Sequence, residues 1–350
     1  MEKTKKRIYW VDILRGLAMF LVVYGHTSKS TEIKQIIYSF HMPLFFIISG
    51  MSNIFQKEDL SLKDFLKKKI KSLIIPYFLL NLVLLPVSYY SGNIGAVAKF
   101  TIPEFLVGIL YSNNLGCYDA PSNATWFITT LFLVEVLFYF LKKIFKNDKE
   151  LMLGIGLIGL AGYANSVAKW QYDGPWHIQV VLTAVVLYYI GYIFMKNVDK
   201  IKTILNTKTK IMLTSMILLG IGLYCSITNT RVSMTADKYG SILYFYMAAL
   251  AFSFAMTFIC MRFFDRDLKI INYIGKNTIL WLAIQIPIIR LMQHFFPIFE
   301  ERERYTLLLA IIVYFAIVPI SMLINKLLPF LVGKSYKKRE KINRKNNITD

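Results

Sequence analysis

Ile8 to Ser28 reads IYWVDILRGLAMFLVVYGHTS. The stretch is long enough to cross a bilayer as a helix, which takes about 20 apolar residues. It nevertheless carries Asp12, Arg15 and His26. Ionisable groups at membrane depth are costly and normally face a bundle interior or a polar cavity. Arg15 and His26 are eleven residues apart. That is close to three whole helical turns, so they share one face. At ~1.5 Å per residue their Cα atoms lie roughly 16 Å apart along the axis. Asp12 precedes Arg15 by three residues and is placed to pair with it. One face of this helix therefore offers an ion pair at one end and an imidazole at the other.

The rest of the chain fits a polytopic membrane protein. Of 350 residues, 56% are hydrophobic and 15% aromatic, and the mean hydropathy is +0.48, too apolar for an ordinary soluble domain. The net charge of +20 would suit nucleic acid, but the basic residues cluster between apolar runs and at the termini. That pattern encodes membrane orientation and argues against nucleic-acid binding. Cys117, Cys225 and Cys260 are scattered, which argues against a disulfide framework and against a zinc site. The first apolar run is too long for a signal peptide's core and lacks a small-residue cleavage site, so it is expected to stay as a helix.

The reading is all-α: a polytopic helical bundle of about ten spans, near 8–28, 36–56, 73–90, 124–141, 150–167, 178–195, 211–227, 241–261, 277–296 and 305–329. Lys and Arg crowd alternate connections: Lys3 to Arg7, Lys57 to Lys71, Lys142 to Lys149, Lys196 to Lys210 and Arg262 to Lys269. This alternation predicts both termini in the cytoplasm. Residues 1–333 form one integral membrane domain and 334–350 a basic cytoplasmic tail. The longest outer loop, 91–123, holds Asn113, Asn114, Asp119 and Pro121, and a short interfacial helix is expected near Ile102–Leu110. LKDFLKKKIKSLIIPY, after span 2, reads as an amphipathic helix on anionic headgroups. The alternative is that its lysines meet a polyanionic cytosolic donor such as coenzyme A.

In this topology all four histidines, His26, His41, His177 and His294, fall toward the outer face. Chance and interfacial hydrogen bonding explain such a set, but neutral imidazole is also the usual general base near pH 7. A short loop lets His26 and His41 approach one another. Pro43 lies within span 2 and predicts a break or bend near His41, while Ser49-Gly50 suits close helix contact. Glu135 and Arg290 are further ionisable groups at depth with no partner identifiable along the chain. Gly154 to Gly159 fits GxGxxG but follows no strand, so it reads as a packing face. GxxxxGK[ST], HExxH and GxSxG are all absent from the sequence, leaving no visible machinery for ATP hydrolysis, zinc proteolysis or serine hydrolysis.

Arg15, ten residues, then His26 resembles the signature of acyltransferase family 3 membrane enzymes. SFHMPLFFIISGM (Ser39–Met51), WFITTLFLVE (Trp126–Glu135), GPWHIQVVLTAVVLYYIGYIF (Gly174–Phe194), VSMTADKYGSILYFYMAAL (Val232–Leu250) and IGKNTILWLAIQIPII (Ile274–Ile289) resemble its fucose 4-O-acetylase-related branch. Each motif is loose; their order over nearly the whole chain is specific. The resemblance implies ten membrane helices and transfer of acetyl groups from acetyl-CoA, a co-substrate, to hydroxyls of cell-surface sugars. It gives Arg15 and His26 the essential roles and His41 a supporting one. Asp12 would orient Arg15. Ser49, Trp126, Glu135, Trp176, His177 and Gln285, within the shared segments, become candidates for substrate binding. Gln285 is a departure, because the branch often has a histidine there.

Acyl transfer to a hydroxyl needs a base for the proton and stabilisation of the oxyanion. His26, aided by His41, is the expected base, and Arg15 the expected partner of donor phosphate. The pantetheine arm threads the bundle, or the acyl group is relayed through an acyl-histidine. No metal is implied. The expected partners are an acyl-CoA donor, a glycan acceptor, cell-surface or lipid-linked, and the lipid bilayer, in the plasma membrane of a bacterium. The competing readings are a transporter or flippase of a lipid-linked glycan and a non-catalytic subunit of a polysaccharide-export complex.

Overall fold

A computed structural model describes residues 8–56, 60–93, 101–112, 123–168 and 174–334. The N-terminal basic cluster, Lys57, Asn113, Asn114, Cys117, Asp119, Pro121 and the tail beyond Lys334 lie outside the described residues. The helices are α1 (Tyr9–Thr27), α2 (Thr31–Asn53), α3 (Leu62–Lys69), α4 (Ile75–Val83), α5 (Leu85–Asn93), α6 (Ile102–Tyr111), α7 (Trp126–Ile144), α8 (Asp148–Val167), α9 (Ile178–Lys196), α10 (Val198–Ile204), α11 (Lys208–Thr228), α12 (Ile242–Phe263), α13 (Lys269–Lys276), α14 (Thr278–Phe295), α15 (Ile298–Glu301) and α16 (Thr306–Leu327). Among the described residues there is no strand, only an isolated antiparallel bridge between Ser233 and Lys238.

Among the described residues seven helices are long and apolar enough to cross a membrane: α2, α8, α9, α11, α12, α14 and α16. The expected third span is broken instead of straight. The helix through α3 and α4 meets α5 at a bend of 59°. Pro86 stands in the first turn of α5 and has no N–H for the preceding turn, so the helix restarts there. Pro76 has the same defect, and a π-helical turn at Ile70–Ile74 precedes it. Pro43, by contrast, does not break α2, which runs through it. A membrane helix tolerates the one lost bond when neighbours pack around it.

Burial sorts the bundle into centre and rim. In α2 and α9, 72% of the membrane-length window is buried, against 22% in α8 and 28% in α11. The rim helices expose Leu153, Leu157, Leu160, Met216 and Ile217; hydrocarbon accepts such side chains as readily as a core does. At the centre, a Cβ on Gly50 would collide with the Tyr188 carbonyl, and one on Gly191 with the Ile47 carbonyl. Only glycine permits this approach of α2 and α9, as small-residue helix packing requires. α1 meets the short α13, unforeseen in the sequence, in the same way through Gly275 against the Asp12 carbonyl. On α8, Gly154 and Gly159 of the GxGxxG stretch pack on Phe145 and on Val186 of α9, while Gly156 faces open space.

The amphipathic segment forms as expected. α3 exposes Lys63, Lys67 and Lys68 and buries Phe65. The outer-loop helix forms as α6, one residue longer than expected, with the Thr101 N–H donating to Glu104 Oε2 at 2.6 Å. After α16 the chain is anchored where Lys334 Nζ donates to Asn277 Oδ1 at 2.8 Å; burial pushes the Lys334 pKa down.

Candidate active site

Two cavities lie along α2 and α7, the first at the middle of α2 and the start of α7, the second toward the C-terminal ends of both. The first, of about 220 Å³, is lined by His26, Tyr38, His41, Trp126, Arg231 and Thr235 among others. The second, of about 280 Å³, is lined by Asn53, Gln56, Phe65, Phe138, Tyr139, Lys142, Lys143 and Tyr192 with Leu60. From His41 to Asn53, and from Trp126 to Phe138, is twelve residues, roughly 18 Å of helix at ~1.5 Å per residue.

In the first cavity the α1–α2 connection is only Ser28 to Ser30, so His26 and the first turns of α2 are brought together. Tyr38 sits between the two imidazoles. Its ring centroid is 6.5 Å from that of His26 and 4.9 Å from that of His41. His41 Nδ1 lies 2.8 Å from the Ile37 carbonyl. A carbonyl only accepts, so Nδ1 carries the hydrogen and Nε2 the lone pair. The fold therefore fixes the tautomer that leaves Nε2 free to accept a proton.

Trp126 joins this cavity from the start of α7, edge-on to His177 at 5.2 Å. His177 is buried behind the cavity wall, with Nδ1 3.1 Å from the Thr235 carbonyl. It positions the 233–235 segment instead of lining the cavity. Trp176 and His177 both take left-handed backbone conformations, with φ of 59° and 53°, which non-glycine residues adopt at a cost. Trp176 Nε1 donates to the Leu110 carbonyl at 2.9 Å, and its own carbonyl accepts from Thr130 Oγ1 at 3.2 Å. Trp176 thus ties α6 to α7 at this end. His294 is exposed against Phe295 and does not line the cavity.

Arg15 lies at the other end of α1. Its Nη2 donates to Ser52 Oγ at 2.5 Å, and Nη1 is 3.7 Å from Asp12 Oδ1. Arg15 and His26 both meet α2, through Ser52 and Tyr38, so the shared face read from their spacing exists. Ser52, not Ser49 one turn earlier, takes the guanidinium. It is followed by Asn53, a wall of the second cavity. There Lys142 Nζ lies 4.7 Å from the Tyr192 ring centroid and Lys143 Nζ 4.9 Å from that of Tyr139. Such contacts hold ammonium groups over aromatic faces.

Glu135 finds a partner the chain order hides. Lys69 Nζ lies 2.7 Å from its Oε1, with side-chain exposures of 11% and 7% for Lys69 and Glu135. The adjacent Asn53 Nδ2 donates to the Tyr188 hydroxyl at 2.9 Å. The pair is a brace beneath the second cavity rather than part of its lining.

Gln285 is fully buried in α14, and neither of its amide atoms has a hydrogen-bond partner among the described residues. It lines neither cavity. A buried amide without partners costs about 1–3 kcal/mol. Gln285→Met, close in shape and without those polar atoms, is expected to raise the apparent melting temperature of the purified protein. A lower one would show that the amide is hydrogen-bonded in solution. Tyr38, Arg231, Thr235 and Ser52 were not singled out by the sequence, and Lys69 was legible only as one of a run of basic residues, without its pairing to Glu135. Of the first four only Tyr38, one turn from His41, carried a signal there.

Residues 8–326 match the family model described as an acyltransferase domain, that of acyltransferase family 3. No curated protein and no solved structure matches the chain. Since the family match spans all but the ends of the sequence, the protein belongs to acyltransferase family 3 and is a membrane acyltransferase.

Proposed function

We propose that the protein moves an acetyl or other short acyl group from acyl-CoA to a hydroxyl of a cell-surface or lipid-linked glycan, in the plasma membrane of a bacterium. The observation that carries this reading is that α1 holds Arg15 on Ser52 at one end and His26 in the histidine cavity at the other, with a second, lysine-walled cavity reached by Asn53, the residue after Ser52. The reading of ten spans counts the seven apolar helices, the bent α3–α5 unit, and α1 and α7, which are outside those seven but are each 19 residues long. With both termini cytoplasmic, the cavity walled by Lys142 and Lys143 faces the cytosol and the histidine cavity faces out. The ordered motifs support the fucose 4-O-acetylase-related branch. Family membership lends no support to a transporter or an assembly subunit.

The cytosolic cavity suits coenzyme A: lysines for phosphate, Tyr139, Tyr192 and Phe65 for the base, and Arg15 at the route inward. In the outer cavity His26 removes the proton of the acceptor hydroxyl. The oxygen attacks the thioester carbonyl, and the tetrahedral oxyanion collapses, expelling CoA thiolate, which ends as the thiol. His41, with its Nε2 lone pair, assists in proton transfer. A threaded pantetheine arm and an acyl-histidine relay differ in one observable: only the relay leaves labelled acyl group on the protein without acceptor.

Purified protein given labelled acetyl-CoA and surface glycan should release CoA thiol and label the glycan; failure of both refutes the reading. Arg15→Lys keeps the charge but loses the planar fork that serves Ser52 and Asp12 together. It is expected to lower kcat/KM by about tenfold or more, the cost of a charged hydrogen bond. Wild-type kinetics in Arg15→Lys would rule out a role for the fork.

A further inference from the structure

The outer cavity has a charge pattern that acyl transfer to a neutral sugar does not require. None of its described lining residues is acidic. Arg231 lines it from the connection between α11 and α12, its guanidinium carbon 5.0 Å from the Tyr38 ring centroid. Among the described residues no carboxylate forms an ion pair with Arg231. Tyr38 is the ring standing between His26 and His41. One aromatic face thus holds the guanidinium beside the proposed base.

The surroundings reinforce the sign. The charges of Lys34 and Arg290 both act on His26, and Lys34 also feels Arg231 and Lys29. The acidic groups nearby have other engagements. Glu303 acts on Lys34 and Tyr24. Glu32 accepts from the hydroxyls of Ser30 and Thr31 at 2.7 and 3.0 Å. Asp237 Oδ2 accepts from Asn165 Nδ2 at 3.0 Å. A cleft lined by one sign of charge between low-dielectric walls concentrates ions of the other sign. A guanidinium held over a ring keeps its N–H donors for a carboxylate or phosphate. At about 220 Å³ the cavity falls below the roughly 300–1,000 Å³ of sites for drug-sized ligands, which suits one sugar-sized unit.

We propose that the acceptor is a hydroxyl compound bearing its own anionic group, carboxylate or phosphate, which Arg231 binds so that the neighbouring hydroxyl meets His26. This rests on the acyl-transfer reading and specifies its acceptor. Arg231 is a specificity residue, and Tyr38 positions it.

The test uses the full-length protein in nanodiscs of zwitterionic lipid, with acetyl-CoA as donor and matched soluble acceptors: glucuronate against glucose, and glycerol phosphate against glycerol. The anionic member of each pair should have the lower KM. Arg231→Gln should raise that KM by about ten- to a hundredfold, as loss of a charged hydrogen bond does, and abolish the preference. Arg231→Lys, which keeps the charge without the fork, should fall between. Binding of glucuronate and inorganic phosphate, followed by isothermal titration without donor, should weaken in step. Equal use of charged and neutral acceptors by the wild type, or anion binding indifferent to Arg231, overturns the proposal. If activity follows anionic lipid in the nanodisc and not the acceptor's charge, Arg231 serves a headgroup and the proposal is also overturned. Absence of CoA release with every acceptor would instead sink the acyl-transfer reading, while the titration still decides whether Arg231 binds anions.

Discussion

His26→Ala is expected to lower acyl transfer by about 10²–10⁴-fold, the usual contribution of a positioned general base, while the melting temperature stays near that of the wild type. The separation of the two effects follows from the site. His26 is half-buried at a cavity wall, with the Tyr38 ring centroid 6.5 Å from its own. Removing the imidazole leaves no buried partner without a hydrogen bond. His41→Ala should behave differently. That ring is buried and donates to the Ile37 carbonyl, so its loss lowers stability as well as rate. The measurements are CoA release with labelled acetyl-CoA and thermal unfolding of the same preparation. A His26→Ala protein that still acetylates at the wild-type rate removes His26 from the chemistry.

The largest effect on stability is expected at Lys69. Its ammonium and the Glu135 carboxylate are both nearly out of reach of solvent, 2.7 Å apart. Among the described residues Glu135 Oε2 has no hydrogen-bond partner. Lys69→Met strands the carboxylate among apolar groups, and breaking a buried pair from one side costs about 3–5 kcal/mol. Removing both charges is another matter, because two desolvation penalties vanish with the attraction. Lys69→Met combined with Glu135→Leu is therefore expected to recover most of the loss. Chemical unfolding of wild type, both single variants and the double variant completes the cycle. Additive losses would show that the two groups do not act as a pair.

The proline positions show where reading along the chain stops. Pro43 and Pro86 are chemically identical breaks, yet α2 continues through the first and the helix turns by 59° near the second. The outcome depends on packing. α2 is held along α9 by glycines that bring the two backbones together, with 72% of its membrane-length window buried. Nothing local to either proline records this. The same holds for His177, legible as an outer-end histidine but assigned to the layer behind the cavity only by its bond to Thr235.

Composition and helical periodicity were enough to give an all-helical membrane protein and to put Arg15 and His26 on one stripe of α1, because a helix fixes which residues share a face whatever surrounds it. The residues that answer that stripe came from the tertiary structure alone. Ser52 lies 37 positions from Arg15, Lys69 lies 66 from Glu135, and Arg231 reaches Tyr38 from a distant connection. Such pairs are joined by the packing of separate helices, and no local spacing rule encodes which turn of one helix will stand beside which turn of another.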